Sequence, residues 1–389
     1  MTETGAQPPL VWVLDAYRAG ERTQLRALAQ GLEAALGWPY QVKSLRYRKF
    51  EFRANIFRGT SLNGVDSEGS DRLAPPWPDL VLSMGMRNEP VARWIRAQSG
   101  GRTRLVFLGR LWADPSDFDL VITTPQYRVP DRPNVLRNAL PLHPVSPARL
   151  AEAAAKWAPR LAPLPRPYVM VSIGGTSGPY AFGPRASARL VRDAVALAQA
   201  RGASLLVSSS ARTPEAAIAG FAAQKAVPTQ LYRWQRDDPD NPYLGFLALA
   251  DELIVTADSI SMLAEAYATG KPVHMFDTGA GRLGMRHDMQ ALAQGHVAAR
   301  NTAAADNDRP DIALAPLAYR ALMRWGWKHL TRDISQMHLR LVQSGRMNWL
   351  GEEAAQHPAR PTSDLERAIA HVLEVMAPDA RPPNIHSAP

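Results

Sequence analysis

The run Thr256-Ala257-Asp258-Ser259-Ile260-Ser261-Met262-Leu263-Ala264-Glu265-Ala266, continuing to Gly270-Lys271-Pro272-Val273, carries the residues best suited to hold an anion. Leu253-Ile254-Val255 reads as an apolar strand entering a small hydroxylated turn, and a helix opens from that turn. The first N–H groups of a helix have no partner within it, and the helix dipole turns its positive end the same way. Phosphate oxygens can be held there, with the Ser259 and Ser261 hydroxyls as further donors. Glu265 follows Ser259 by about one and two-thirds turns, where a carboxylate suits ribose hydroxyls. Asp258, Ser259, Ser261, Met262 and Glu265 are thus candidate ligands of a nucleotide-sugar. The plain alternatives are that Asp258 or Ser259 only caps the helix and that Glu265 lies on its surface.

Other strand ends carry weaker signals. Gly174-Gly175-Thr176-Ser177-Gly178 follows an apolar strand, and its glycines would let backbone N–H groups approach a phosphate. It has neither the Gly-Lys-Ser/Thr ending of a Walker loop nor a Gly-x-Gly-x-x-Gly spacing, and a tight turn needs glycine regardless. Ser208-Ser209-Ser210-Ala211-Arg212-Thr213-Pro214 presents Arg212 at a sheet edge, as a diphosphate clamp or as the partner of a surface carboxylate. Asn241-Pro242-Tyr243 precedes a helix and reads first as a cap and turn, with Asn241 and Tyr243 as secondary candidates for donor contact. Near the start, Asp15-Ala16-Tyr17-Arg18-Ala19-Gly20-Glu21-Arg22 offers Asp15 or Glu21 as a general base for an acceptor hydroxyl. Either carboxylate could instead cap a helix or pair with Arg18 or Arg22. Gly20 and the Gly85-Met86-Arg87-Asn88 loop, with Arg87 and Asn88, complete the candidate acceptor side. The nine histidines show no metal-ligand spacing, and no Gly-x-Ser-x-Gly elbow is present. No metal and no cofactor are expected; the nucleotide-sugar would be a substrate.

These residues all fall where strands give way to helices. Val11–Leu14, Tyr40–Leu45, Asp79–Ser83, Arg104–Leu108 and Leu120–Thr123 read as strands, with helices through Leu25, Leu28, Leu32 and Leu36 and through Val91, Trp94 and Ile95. Residues 55–78 read as an irregular loop. Alternation resumes with Tyr168–Ile173, a helix over Ala186–Ala200, strands at Ala203–Ser208 and Gln230–Trp234, helices over Thr213–Lys225 and Tyr243–Ala250, and a strand at Val273–Phe276. Leu317 to about Gln343 reads as one long helix, and residues 351–389 as a tail. Alternating strands and helices imply parallel sheets. The prolines at 159, 163, 165 and 167 mark a linker, so two doubly wound Rossmann-like α/β domains facing a cleft are expected. Their expected bounds are 1–160 on the acceptor side and 166–345 on the donor side, with a C-terminal segment over 346–389.

Composition agrees. A chain of 389 residues is long for one core. With 46% hydrophobic and 21% charged residues it reads as globular. It has no cysteine, which excludes disulfides and thiol catalysis. Val11–Leu14 is too short for a signal-peptide core, and no run is long enough to span a bilayer, so a cytoplasmic protein is expected. A net charge of +9 favours anionic partners. The basic and aromatic stretch over 43–58 could lie on an anionic membrane surface or be a solvated basic face. No nucleic-acid motif accompanies it.

The chain resembles the bacterial branch of the mitochondrial fission (elongated-mitochondria) protein family, formerly a domain of unknown function. The resemblance rests on Asp15…Gly20…Gln24…Gly31-Leu32, Ile173-Gly174-Gly175, Ser210…Arg212-Thr213-Pro214, Asn241-Pro242-Tyr243 and the run Thr256 to Val273. The family in turn resembles GT-B glycosyltransferases. That implies a GT-B architecture, with a donor nucleotide held by Gly174–Ser177, Arg212, Ser259, Ser261 and Glu265, but does not by itself imply an activity. The leading expectation is a metal-independent sugar transfer to an unknown acceptor, which the basic stretch over 43–58 could place at a membrane. The resemblance leaves open a non-catalytic binding or scaffold protein that kept the fold, and a nucleotide-sugar epimerase. Two departures from the family pattern stand out: a single arginine in Ser210-Ala211-Arg212 where two are expected, and Pro125-Gln126-Tyr127-Arg128 in place of an acidic, histidine-containing loop.

Overall fold

The computed structural model describes residues 7–48, 59–294, 309–325, 331–352 and 363–377. The chain divides into two compact units, Met1–Pro144 with Pro361–Pro389, and Val145–Arg360.

The first unit contains strands β1 (Val11–Leu14), β2 (Tyr40–Lys43), β3 (Leu80–Met84), β4 (Arg104–Leu108), β5 (Leu120–Thr123) and β6 (Val135–Arg137), with helices α1 (Ala19–Leu36) and α2 (Asn88–Gln98). The strands form one sheet in the order β2-β1-β3-β4-β5-β6, and every neighbouring pair is parallel. Alternate strand residues feed two cores. Val11, Val13, Leu80 and Leu82 pack under Leu25, Leu28 and Leu32 of α1. Trp12, Leu14, Val81 and Phe107 pack under Val91 and Ile95 of α2. Burial on both faces explains why these strands read as short unbroken apolar runs.

The second unit contains α3 (Pro147–Leu161), β7 (Tyr168–Ser172), α4 (Pro184–Arg201), β8 (Ser204–Ser208), α5 (Glu215–Ala223), β9 (Thr229–Tyr232), α6 (Tyr243–Leu249), β10 (Glu252–Thr256), α7 (Ile260–Tyr267), β11 (Val273–Phe276), α8 (Met285–Ala293), α9 (Leu314–Trp325), α10 (Ser335–Gln343) and β12 (Asn348–Trp349). Its sheet runs β12-β11-β10-β7-β8-β9, again parallel throughout. Both sheets therefore reverse direction once, between β1 and β3 in the first and between β7 and β10 in the second. Crevices at such reversals, outside the carboxyl ends of the strands, are where doubly wound sheets bind ligands.

The expected α/β class with two doubly wound units is what the chain adopts, but its boundaries lie elsewhere. Pro159, read as the start of the linker, lies inside helix α3. Ser146 caps it by accepting from the Arg149 N–H at 3.3 Å, and Trp157 packs on Phe246 of α6 with ring centres 6.2 Å apart. Part of the expected tail is a helix, α11 (Asp364–Met376). It returns to the first unit, where Leu365, Ala368, Ile369 and Val372 join the α1 core. Its signal was present as Ser363-Asp364-Leu365-Glu366, a capping-box spacing in which Ser363 accepts from the Glu366 N–H. The single long helix expected from Leu317 to Gln343 is instead α9 and α10, and Asp333 turns the chain before α10 by accepting from the Ser335 N–H and hydroxyl. The short β6, β12 and α8 were not legible as elements. Among the described residues, no helix is long and apolar enough to cross a membrane. Residues 49–58 of the basic stretch lie outside the described residues; of the remainder, Lys43 sits over the Trp12 ring at 4.4 Å.

Candidate functional site

At the β7/β10 reversal, the Gly174–Ser177 loop closes onto the turn that follows β10. The Gly174 N–H donates to Thr256 Oγ1 at 2.7 Å, and the Gly175 N–H donates to Asp258 Oδ2 at 2.9 Å. A Cβ at Gly174 would lie 2.4 Å from Asp258 Oδ2, and one at Gly175 would lie 2.2 Å from the Arg212 carbonyl oxygen. Glycine is required at both positions, but for close packing. The expected approach of these two N–H groups to a phosphate is corrected: both are already bonded within the protein. Thr176 is likewise engaged, its hydroxyl accepting from the Phe182 N–H at 3.0 Å. Thr213 Oγ1 donates to the Ile173 carbonyl at 2.8 Å and accepts from the Ser210 N–H at 2.7 Å, which locks the neighbouring loop.

The groups left facing outward are cationic. Arg212 is 53% exposed at its side chain, with Nη2 3.8 Å from Asp258 Oδ2, and its Nη1 donates to the Thr176 carbonyl at 3.1 Å. Its carboxylate partner is thus buried, not on the surface. Arg332, just before α10, donates from Nη2 to Ser177 Oγ, and its own N–H donates to Tyr319 of α9 at 2.9 Å. Two guanidinium groups therefore flank one loop, although the sequence near 212 offers one. Arg332 was missed because it lies 155 residues from Ser177 and follows no strand; nothing local marks it.

Asp258 is 1% exposed. Burial raises the pKa of its carboxyl, opposed by the Gly175 N–H and by the charges of Arg212 and Arg332. It orients the loop and does not cap α7. Ser259 stands at the N-cap position of α7 and makes no side-chain cap bond. Its hydroxyl lies 3.4 Å from that of Ser261. The first-turn N–H groups of α7 therefore keep the unfilled character that an anion can use. By contrast, the N-terminus of α4, the helix that follows the Gly174–Ser177 loop, is closed. Asp311 accepts from the Gly183, Arg185 and Ala186 N–H groups at 3.0, 3.2 and 2.9 Å. Of these two helix starts, only that of α7 is left without a side-chain cap.

Glu265, in the second turn of α7, accepts from the Tyr243 hydroxyl at 2.7 Å. Desolvation raises its pKa to about 7, against the Tyr243 bond and the Arg149 charge. Tyr243 is thus joined to the candidate donor site through Glu265. Asn241 is exposed, and its Oδ1 accepts from the Tyr243 N–H at 2.9 Å, which is the turn role. Met262 is half-buried beside the first turn of α7. Behind the post-β10 turn, buried His338 donates from Nε2 to the Ala257 carbonyl at 2.8 Å, and burial lowers its pKa to about 4.

At the β1/β3 reversal of the first unit the chemistry differs. Asp15 Oδ1 accepts from Arg22 Nε and from the Ala16 N–H, both at 3.1 Å. Glu21 lies over Gly85, whose φ is +88° and whose added Cβ would stand 3.1 Å from Glu21 Oε2. Gly20 is exposed in the first turn of α1. Arg87 stacks over Tyr17 and Tyr47 at 5.1 and 5.7 Å. Asn88 is buried, with Nδ2 within 3.0–3.2 Å of the Met84, Leu14 and Asp15 carbonyls and Oδ1 accepting from the Tyr47 hydroxyl at 2.6 Å. Its expected contact with an acceptor is corrected: Asn88 ties β1, β3 and Tyr47 together.

Comparison with known proteins places the chain in a family. A family model described as mitochondrial fission ELM1 matches residues 19–322. Over 220 residues the chain is 28% identical to the mitochondrial fission protein ELM1 of Arabidopsis thaliana, a match covering 51% of each. Over 71 residues it is 41% identical to an uncharacterized protein of Rickettsia prowazekii, covering 18% of this chain and 20% of that protein. The chain thus spans about half the length of the first relative and a fifth of the second. Among solved structures, it aligns with a UDP-glucosyltransferase from Polygonum tinctorium at 12% identity and a TM-score of 0.46, over 96% of this chain and 99% of that one. It also aligns with the S. aureus MnaA–UDP co-structure at 10% identity and a TM-score of 0.44, over 97% and 100%. With the family model extending from the start of α1 into α9, this chain belongs to the mitochondrial fission ELM1 family.

Proposed function

We propose that the second unit binds the diphosphate of a nucleotide-sugar and that the chain is a metal-independent glycosyltransferase of GT-B type. The observation that carries this reading is the uncapped start of α7 at the β7/β10 reversal, with Arg212 and Arg332 on either side of the adjoining Gly174–Ser177 loop. Two tandem doubly wound units are also the domain content of a GT-B chain. In this reading Arg212, Arg332, Ser259, Ser261 and the first-turn N–H groups hold the two phosphates, and Glu265 with Tyr243 meets the ribose. An acceptor hydroxyl held by the first unit attacks the anomeric carbon as the bond to the diphosphate oxygen breaks. Asp15 or Glu21 takes the hydroxyl proton, and the arginines stabilise the charge that grows on the departing diphosphate. Residues 43–58 would set the protein against an anionic membrane surface bearing the acceptor.

A thermal-shift panel of nucleotides and nucleotide-sugars tests the donor site. UDP-type ligands should raise the melting temperature of the wild type, and the rise should shrink in Arg212→Ala and in Glu265→Ala. If no nucleotide stabilises the protein, the reading fails. Asp15→Asn should spare donor binding and abolish transfer; unchanged turnover would remove Asp15 from the mechanism.

A second reading, a nucleotide-binding protein without transfer, is favoured by the bonds that tie Asp15 to Arg22 and Ala16. Nucleotide stabilisation with no consumption of any nucleotide-sugar would select it. Release of an epimerised sugar without an acceptor would select an epimerase.

A further inference from the structure

Helix α9 (Leu314–Trp325) turns its polar side toward its own unit. Arg320 donates from Nη1 to Asp288 Oδ1 at 2.8 Å and from Nη2 to the Leu283 carbonyl at 3.3 Å, with its guanidinium over the Tyr180 ring. Tyr319, one residue earlier, accepts from the Arg332 N–H at 2.9 Å. Pro316 is buried and Met323 half-buried. At 3.6 residues per turn these four positions share one face. The opposite face is apolar and open. Leu314 is 85% exposed, Trp325 78%, and Leu317 and Leu322 39% each, and Ala318 among them is exposed as well. Ile312, just before the helix, is 69% exposed. The usual arrangement is thus reversed, since a helix that covers a core turns its apolar stripe inward. A contiguous exposed apolar stripe marks an interaction surface.

Charge and size decide what covers it. No Asp or Glu occurs between Asp311 and Asp333, whereas four residues in that interval are Lys or Arg. Arg324 is exposed at the border of the stripe and stands over the Trp325 ring at 5.7 Å. Leucines and a tryptophan bordered by cations suit the boundary between lipid headgroups and acyl chains. The aliphatic side chains enter the acyl region, the indole sits at headgroup level, and the cations meet anionic headgroups. A second copy of the chain fits this face less well. The 12-residue helix is about 18 Å long and about 10 Å across. Two such faces bury well short of the roughly 1,200 Å² that a specific dimer needs.

We propose that the outer face of α9 is a docking surface for an anionic lipid bilayer, on which the helix lies flat with Leu314, Leu317, Leu322 and Trp325 inserted. This surface belongs to the second unit, is separate in sequence from the basic stretch over 43–58, and does not depend on sugar transfer. Arg332, which bonds Tyr319 of the helix, also bonds Ser177, so docking takes place beside the candidate donor loop.

Flotation of the full chain with phosphatidylcholine vesicles, with and without phosphatidylglycerol, tests it. Wild type should float with the anionic vesicles and bind the neutral ones more weakly. Leu314→Glu/Leu317→Glu, which puts two carboxylates on the open face, should weaken binding to anionic vesicles by ~10-fold or more. Its melting temperature should match that of the wild type. Leu314→Glu alone, at the most exposed of these positions, carries the same test should the double variant not fold. Arg324→Gln should weaken binding to anionic vesicles only, by ~5-fold, the effect of losing one cation at a charged surface. Absence of flotation with anionic vesicles overturns the inference. Equal flotation of wild type and the folded leucine variants overturns it too, and would assign binding to another surface such as 43–58. Dimerisation that the leucine variants abolish, with no vesicle binding, would give the face to a second copy instead.

Discussion

The two units solve the same topological problem with opposite chemistry. Each is a six-stranded parallel sheet with one reversal of strand order. At the β1/β3 reversal the first unit gathers carboxylates, Asp15 and Glu21, and spends the buried amide of Asn88 on internal carbonyls. At the β7/β10 reversal the second unit buries its carboxylate, Asp258, under a glycine loop and leaves arginines and an uncapped helix start outward. A single reversal of strand order thus fixes where a crevice forms in each sheet and leaves its polarity to the loops. In the proposed function, one end takes a proton and the other holds negative charge.

The largest effect that would break this contrast is steric. Gly175→Ala brings a Cβ against the Arg212 carbonyl, and should cost ~3 kcal/mol and abolish nucleotide binding, since backbone must move. Gly85→Ala in the first unit meets only the end of Glu21 and a left-handed backbone; ~1 kcal/mol is expected, with nucleotide binding intact. Chemical denaturation with and without UDP checks both.

Titration should divide the units next. His338 is neutral in the second unit, its pKa depressed to about 4 from 6.5. The unfolded chain takes up its proton first, so this contribution is complete above pH 6.5 and falls by ~3 kcal/mol as pH drops through 4. Glu89 in the first unit accepts from the Trp112 and Ala113 N–H groups at 2.9 and 3.0 Å, yet desolvation raises its pKa to about 7 from 4.5. Here the folded state holds the proton more tightly, so the contribution is complete below pH 4.5 and is lost as pH rises through 7. Hydrogen exchange of β10 and β3 amides across pH should show the opposite slopes, abolished by His338→Asn and Glu89→Gln respectively.

Smaller still, Arg212→Ala and Arg332→Ala should each weaken diphosphate binding by ~10-fold and flatten its salt dependence, as the loss of one charge-assisted bond predicts. Arg22→Ala in the first unit should leave the same affinity unchanged; isothermal titration at two salt concentrations measures all three. The smallest effect is expected at Ser363→Ala, ~1 kcal/mol from the cap of α11, read as a lower melting temperature for the first unit.

The strands were legible because burial on both faces turns them into short apolar runs, as in Val11–Leu14 and Val273–Phe276. Their small partners β6 and β12 were not, since three or two residues carry no period. Helix α11 is marked by Ser363, Glu366 and the spacing of Leu365, Ala368 and Val372, but the proline-rich flanks on both sides of it have the composition of a tail. At the candidate site, residue types pointed to the correct turns but not to their roles. Gly174 and Gly175 were expected to present N–H groups, and their N–H groups are bonded to Thr256 and Asp258.

What the amino-acid sequence determined by itself is therefore local: which runs become strands, where helices begin, and which small, hydroxylated or acidic residues fall at strand ends. Hydrophobic periodicity and capping act over a few residues, so they can be read in order along the chain. The tertiary structure alone decided the rest. It closed the start of α4 with Asp311 while leaving that of α7 without a side-chain cap. It supplied a second arginine from position 332, and it returned helix α11 to the α1 core of the first unit. Each of these rests on a contact between residues distant in sequence, fixed by how layers pack, and no local pattern encodes that.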